Sequence, residues 1–172
     1  ILAPTRELAL QIFGSIENLG RSLHLSATVI VGGSDMQAQI RGLRQQPDIL
    51  VATPGRLLDH MWNGTINLAP IKILVLDEAD RMLDLGFSDD LAEVNQLTIE
   101  RQQTMMFSAT FAPRIQQLAG RVMREPQRIT IDSPQDKHQN IKQSLFWADN
   151  SQHKRKLLDH WLRDTNIKQA IV

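Results

Sequence analysis

Ile73-Leu74-Val75-Leu76-Asp77-Glu78-Ala79-Asp80 runs from four consecutive apolar residues straight into three carboxylates within four positions. An apolar run of this length without alternation is the pattern of a strand buried on both faces, as in a parallel sheet covered by helices. Val29-Ile30-Val31, Ile49-Leu50-Val51-Ala52 and Met105-Met106-Phe107 share the pattern, and Ile1-Leu2-Ala3 reads as the end of another strand. Helical spacing fills the gaps. Leu8, Ile12, Ile16 and Leu19 form one stripe, Met36, Ile40 and Leu43 a second, and Ile115, Leu118, Ala119 and Val122 a third. Strand and helix alternating in this way predict βαβ units and an α/β fold.

Outward from this core the chain changes character. Asp132-Ser133-Pro134-Gln135-Asp136-Lys137 is polar and carries a proline, so 132–140 reads as a linker. Beyond it come a strand-like Ile141–Ala148, a helix near Gln152–Arg163 with Leu157, Leu158, Trp161 and Leu162 on one face, and a final apolar Ala170-Ile171-Val172. The predicted organisation is one domain over 1–131 and the opening of a second α/β unit over 141–172. The chain starts at Ile1 without a methionine and without a basic, apolar leader, which reads as a fragment. The 172 residues are 42% hydrophobic and 22% charged, as expected of a folded globular chain. No apolar run reaches the length of a membrane span. Cysteine is absent, which excludes disulfides and thiolate metal sites and fits a reducing cytoplasm. Net charge is zero, so nucleic acid would have to be held by local groups rather than by an overall positive field.

Ligands bind open α/β sheets outside the carboxyl ends of the strands. The residues that follow each apolar run therefore come first: Pro4-Thr5-Arg6-Glu7-Leu8, Gly32-Gly33, Thr53-Pro54-Gly55-Arg56, Asp77-Glu78-Ala79-Asp80 and Ser108-Ala109-Thr110. A carboxylate at a strand end, Asp77, is placed to hold Mg²⁺ on a nucleoside triphosphate through water, and a second, Glu78, to orient the attacking water. The same acids would equally suit the first turn of the next helix, where carboxylates favour the dipole. Ser108 and Thr110 can hydrogen-bond a carboxylate such as Asp80, or serve as ordinary helix caps. Thr5, Arg6, Gly32, Gly33, Thr53, Gly55 and Arg56 suit a grip on a phosphate backbone through charged donors, hydroxyls and approachable main-chain N–H groups. Gly32-Gly33 and Pro54-Gly55 are also common turn pairs. His24, His60, His138, His153 and His160 show no metal spacing, and Trp62 and Trp161, at helical spacing with Leu58 and Leu158, read as packing. Trp147 reads as cover for a second-domain sheet.

Together and in this order, the five blocks resemble the consecutive motifs of DEAD-box ATP-dependent RNA helicases, and Leu76–Phe87, LDEADRMLDLGF, is also characteristic of that family. The resemblance covers essentially the whole chain and looks closest to bacterial members acting on structured RNA and in ribosome assembly. It implies a RecA-like parallel sheet flanked by helices, incomplete at its N-terminus, followed by the start of a second RecA-like domain. It implies that Asp77 binds Mg²⁺ through water, that Glu78 activates the hydrolytic water, and that Asp80 couples hydrolysis to unwinding through Ser108 and Thr110. It places RNA sugar-phosphate contacts on Thr5, Arg6, Gly33, Thr53, Gly55 and Arg56. The implied cofactors are ATP and Mg²⁺. The implied partners are RNA, held without sequence preference, and ribonucleoprotein or ribosome-assembly complexes. One departure stands out: no G-x-x-x-x-G-K-[ST] occurs and no glycine is followed by lysine. Without that phosphate loop the chain alone is expected to be inactive, and a sheet lacking the family's phosphate-loop strand is expected to self-associate. The alternatives are a module that binds RNA backbone without catalysis, a related ATPase acting on DNA, and a non-enzymatic scaffold.

Overall fold

The apolar runs form parallel strands, each carried into the next by a helix. The computed structural model describes residues 1–130, 144–164 and 168–171. Its chain divides into two units, Ile1–Ile129 and Thr130–Val172. In the first, α1 (Arg6–Gly20) leads through a short 3₁₀ turn to β1 (Ala27–Ile30), α2 (Met36–Leu43), β2 (Ile49–Ala52), α3 (Pro54–Trp62) and β3 (Ile73–Leu76). Then follow α4 (Ala79–Asp84), α5 (Ser88–Leu97), β4 (Gln103–Met106) and α6 (Pro113–Val122). β1 pairs with β2 and β3 with β4, both in parallel. Leu2 bridges Ala52 on one side and Leu76 on the other, so the N-terminal segment is the middle of the sheet. The order across the sheet is therefore β1, β2, the Leu2 segment, β3, β4.

Strand alternation assigns the two faces. Leu2, Ile30, Ala52, Leu74 and Leu76 point into the larger core with Leu57, Leu58, Met82, Leu91, Val94 and Leu118 from α3 to α6. Ala3, Val31 and Val51 point the other way, into a smaller core closed by Ala9 of α1. α1 covers only this half of the second face. Over β3 and β4 that face carries Ile73 and Phe107, both about half exposed. Helix starts follow local chemistry: Thr5 caps α1 by accepting from Leu8 N, and Asp35 caps α2 by accepting from Gln37 N and Ala38 N. Pro54 and Pro113 open α3 and α6, where a missing N–H costs nothing. A Cβ on Gly42 would lie 2.6 Å from Thr28 Oγ1, so α2 approaches β1 as closely as it does only through a glycine.

The second unit contains α7 (Ser151–Leu162), capped by Asn150, which accepts from His153 N. The expected linker at 132–140 lies outside the described residues, as do 141–143 and Val172 of the two apolar runs expected as strands. Residues 144–148 and 170–171 are described and are not strands. A strand exists only through ladder bonds to a neighbour, and among the described residues of this unit there is no second strand to pair with. Trp147 is accordingly exposed rather than covering a sheet. Trp62 is also mainly exposed, its indole N–H donating to Glu93 at 2.9 Å. Trp161 is nearly half exposed and tilts against Phe146. No helix among the described residues is long and apolar enough to cross a membrane.

Candidate functional site

The sheet order sorts the five blocks. All follow the carboxyl ends of strands and so line one edge of the sheet. In sequence they run Thr5, Gly32, Thr53, Asp77, Ser108; in space the loops after β1, β2 and the Leu2 segment are neighbours, and those after β3 and β4 are neighbours. Residues suited to grip an anion thus fall on one half of the edge. Carboxylates and hydroxyls fall on the other.

On the acidic half, Asp77 N donates to Leu2 O at 3.0 Å, which pins the carboxylate to the end of the central segment. Its Oδ1 accepts from Glu78 N at 3.0 Å. Glu78 has φ 49° and ψ 53°, a left-handed conformation that turns its side chain to solvent before α4 begins. Ala79, fully buried, donates its N–H to Phe107 O at 2.9 Å and ties this turn to the segment after β4. Asp80 Oδ2 accepts from both Thr110 N and Thr110 Oγ1, each at 3.1 Å. Ser108 does not reach Asp80; its hydroxyl donates to Thr110 O at 2.8 Å and shapes the loop that brings Thr110 to the carboxylate. Neither hydroxyl caps α6, whose N-cap is Ala112. Among the described residues no three His, Cys, Asp or Glu side chains cluster to hold a metal directly. A single half-buried carboxylate, Asp77, suits a hard cation bound through water and ligand oxygens rather than in a protein cage.

On the other half, Arg6 Nη1 donates to Gly32 O at 3.1 Å, reaching across from the central segment to the loop after β1. Gly33 has φ 73°, and a Cβ there would lie 3.2 Å from Arg6 Nη1, so both conformation and contact call for glycine. Thr53 is the N-cap of α3 in extended conformation and makes no side-chain cap, which leaves the first-turn N–H groups of Gly55 and Arg56 without a side-chain acceptor. A helix N-terminus in that state is disposed towards anions. Arg56 differs from a solvated arginine: its side chain is only 14% exposed. Its Nη1 donates to Ser34 O at 3.2 Å and to Gln39 Oε1 at 3.4 Å.

Sequence reasoning missed three residues here. Gln39 and His60 are buried and hydrogen-bonded to each other, 21 positions apart in the chain. Burial, and secondarily the Arg56 charge, lowers the His60 pKa below its ordinary value and favours the neutral ring. Asp90 Oδ2 lies 3.8 Å from where a Gly55 Cβ would sit. Burial first, then Glu93, Asp89 and Asp59, raises its carboxyl above the usual range. No spacing rule connects these positions; they meet only because α2, α3 and α5 pack on one face. The large apolar hollow lined by Leu43, Leu57, Ile66, Leu74 and Val94 contains none of the candidate residues.

Residues 1–118 match the family described as DEAD/DEAH box helicase. The chain is 44% identical over 131 residues to the ATP-dependent RNA helicase CshA of Limosilactobacillus reuteri, covering 76% of this chain and 26% of that protein. It is 38% identical over 173 residues to the ATP-dependent RNA helicase DeaD of Klebsiella pneumoniae, covering all of this chain and 27% of that protein. A putative ATP-dependent RNA helicase of Caenorhabditis elegans is 39% identical over the whole chain, which spans 35% of it. The chain thus spans between a quarter and about a third of the length of these relatives. Among solved structures, a hypothetical ATP-dependent RNA helicase from Sulfolobus tokodaii superposes with a TM-score of 0.71 at 37% identity, covering 73% of this chain and 38% of that one. A DEAD box protein from Methanococcus jannaschii gives 0.68 at 40%, covering 72% and 34%.

Proposed function

The chain belongs to the DEAD/DEAH box helicase family, and from that premise we propose that it is part of the motor of an ATP-dependent RNA helicase. The observation that carries this is the division of the sheet edge into an anion-gripping half and an acidic half, the acidic half tied together by the Asp80–Thr110 pair. In this proposal Thr5, Arg6, Gly32, Gly33, Thr53, Gly55 and Arg56 hold RNA sugar-phosphate. Contacts to backbone read no base edges, so binding is independent of sequence. Asp77 would hold Mg²⁺ through water, Glu78 would orient the attacking water, and Asp80 would pass the state of that site to Ser108–Thr110. The cation would neutralise charge developing on the transferred phosphoryl oxygens.

The 172 residues contain no phosphate loop, so the chain alone binds ATP poorly and does not hydrolyse it; a longer protein containing it does both. The lack of cysteine supports a cytoplasmic setting. The further proposal of a bacterial member that works on structured RNA or ribosome-assembly particles rests on the sequence resemblance alone, since relatives of similar identity come from bacteria and from Caenorhabditis elegans. The alternative, an RNA-backbone module without catalysis, shares the anion-gripping half and differs in the acidic one. The deciding experiment is RNA-stimulated ATP hydrolysis. The isolated chain should show no activity above its Asp77→Asn variant. In the longer protein Glu78→Gln should lower turnover roughly 10²- to 10⁴-fold while nucleotide binding persists. Near-normal turnover of that variant would remove Glu78 from its role, whereas a longer protein with no RNA-stimulated turnover at all would favour the module without catalysis.

A further inference from the structure

Arg56 sits in a cage of donors and acceptors that decides which of its edges can meet a ligand. Gln39 Nε2 donates to Val31 O at 2.9 Å, which fixes the amide and turns Oε1 towards α3. That oxygen accepts from Arg56 Nη1 at 3.4 Å and faces His60 Nε2 at 3.0 Å. Because Oε1 is an acceptor only, the His60 proton must lie on Nε2. His60 Nδ1 lies 2.7 Å from Thr65 Oγ1, whose single proton is shared between that nitrogen and His60 O at 2.9 Å. Gln39 and His60 are 6% and 0% exposed, and neither can relax towards water. The second hydrogen of Nη1 goes to Ser34 O at 3.2 Å. Arg56 Nε is buried without a hydrogen bond, 3.6 Å from Asp59 Oδ2. This leaves Nη2, which has no hydrogen-bond partner among the described residues.

We infer that Gln39 and His60 are positioning residues: they lock the guanidinium of Arg56 so that the Nη2 edge alone is presented, beside the open N-terminus of α3, to a phosphate of the RNA backbone. The inference rests on the proposed RNA role of Arg56 and adds how that role is set. The same bonds tie Ser34, and with it the Gly32–Gly33 turn, to α3. A ligand on either element therefore meets a pre-set pair of loops. The lowered His60 pKa agrees with a neutral ring that donates through Nε2. An arginine held in this way keeps less rotamer freedom to lose on binding, which is the usual advantage of preorganisation.

The test uses the whole chain and two readouts. The first is ¹⁵N NMR of the Arg56 side chain, assigned with Arg56→Ala. Slow rotation about Nε–Cζ and slow exchange are expected in the wild type. Gln39→Met, and independently His60→Phe, should restore the fast rotation of a solvated arginine, with backbone amide spectra confirming that each variant folds. Two variants on different helices are used so that poor folding of one leaves the other as the test. The second readout is low-salt affinity for a mixed-sequence single-stranded RNA. Arg56→Ala should weaken binding roughly tenfold and lower the salt slope by about one. Gln39→Met should weaken it less, and Gln39→Met with Arg56→Ala should be no weaker than Arg56→Ala alone. A guanidinium that stays locked in both single variants overturns the inference, as does a full additional loss in the double variant. Unlocking without any effect of Arg56→Ala on affinity would keep the positioning and remove Arg56 from the proposed RNA site.

Discussion

At Glu78 the backbone carries a cost that its neighbours impose. A non-glycine residue in the left-handed region costs on the order of 1–2 kcal/mol. It persists only where the surroundings over-determine it. Here Asp77 is held by Leu2 O and Ala79 by Phe107 O, so the single residue between them must absorb the turn from strand to helix. The consequence is a carboxylate projected to solvent at the end of the sheet, where the proposed chemistry needs it. Glu78→Gly should therefore be more stable than Glu78→Ala by about 1 kcal/mol, because only glycine occupies this region freely. At an ordinary helix position the order is reversed by a similar amount. Urea unfolding of the two variants checks the sign directly, and alanine equal to glycine would remove the strain. Neither variant retains the carboxylate, so a stability gain from Gly would coincide with loss of the proposed water-orienting group. Such strain could not be seen in the letters Asp77-Glu78-Ala79-Asp80, which specify chemistry but leave φ open.

At the scale of elements, Arg101 shows how the sheet is fastened to its helices. Its Nε donates to Thr104 Oγ1, Nη1 to the carbonyls of Asn95 and Thr98, and Nη2 to Asn95 Oδ1 and Val122 O. One planar fork therefore joins the end of α5, the start of β4 and the end of α6. Lysine offers a point charge and cannot reproduce that geometry. Arg101→Lys should lower stability by roughly 1–3 kcal/mol, the range expected when several part-buried acceptors lose their donor, and thermal or urea unfolding would show it. An unchanged midpoint would mean that the three elements hold together by apolar packing alone. What sequence revealed of this level was uneven for a physical reason. The strands were legible as runs of consecutive apolar residues, which follow from burial on both faces at Ile49–Ala52, while Ile73–Leu76 carries the same run although Ile73 is left half exposed. β4 was only half legible: its first two residues, Gln103 and Thr104, are polar and become strand through their register with Ile73 and Leu74. α5 gave no start signal, since its N-cap is Phe87 without a side-chain cap bond. The expected strands in the second unit are absent over the described 144–148 and 170–171, where apolar character without a pairing partner does not make a sheet. The five chemical blocks were legible as letters, while the Gln39–His60–Arg56 cluster, made by packing between helices, left no spacing to read.

At the scale of the whole molecule, the asymmetry of the sheet has a consequence for solution behaviour. α1 seals one half of the second face, whereas over β3 and β4 that face leaves Ile73 51% and Phe107 55% exposed. β4 also has no strand partner on its outer side among the described residues. An apolar patch beside an unpaired edge is the combination that natural sheets avoid, because it offers both ladder bonds and buried area to another chain. Lysine is the usual device for blunting such an edge, and β4, Gln103–Met106, contains none. The purified chain should therefore self-associate. Its weight-average sedimentation coefficient should rise with concentration, and more steeply in sulfate, which strengthens apolar association while screening charge. Placing charges on the patch in the double variant Ile73→Lys, Phe107→Lys should return the coefficient to that of a monomer without changing far-ultraviolet circular dichroism, since both side chains are half in water already. Association that weakened in salt would instead point to charge pairing between copies. A wild-type coefficient independent of concentration would mean that the bare half of the sheet is tolerated as it stands, and the proposal of self-association would be withdrawn.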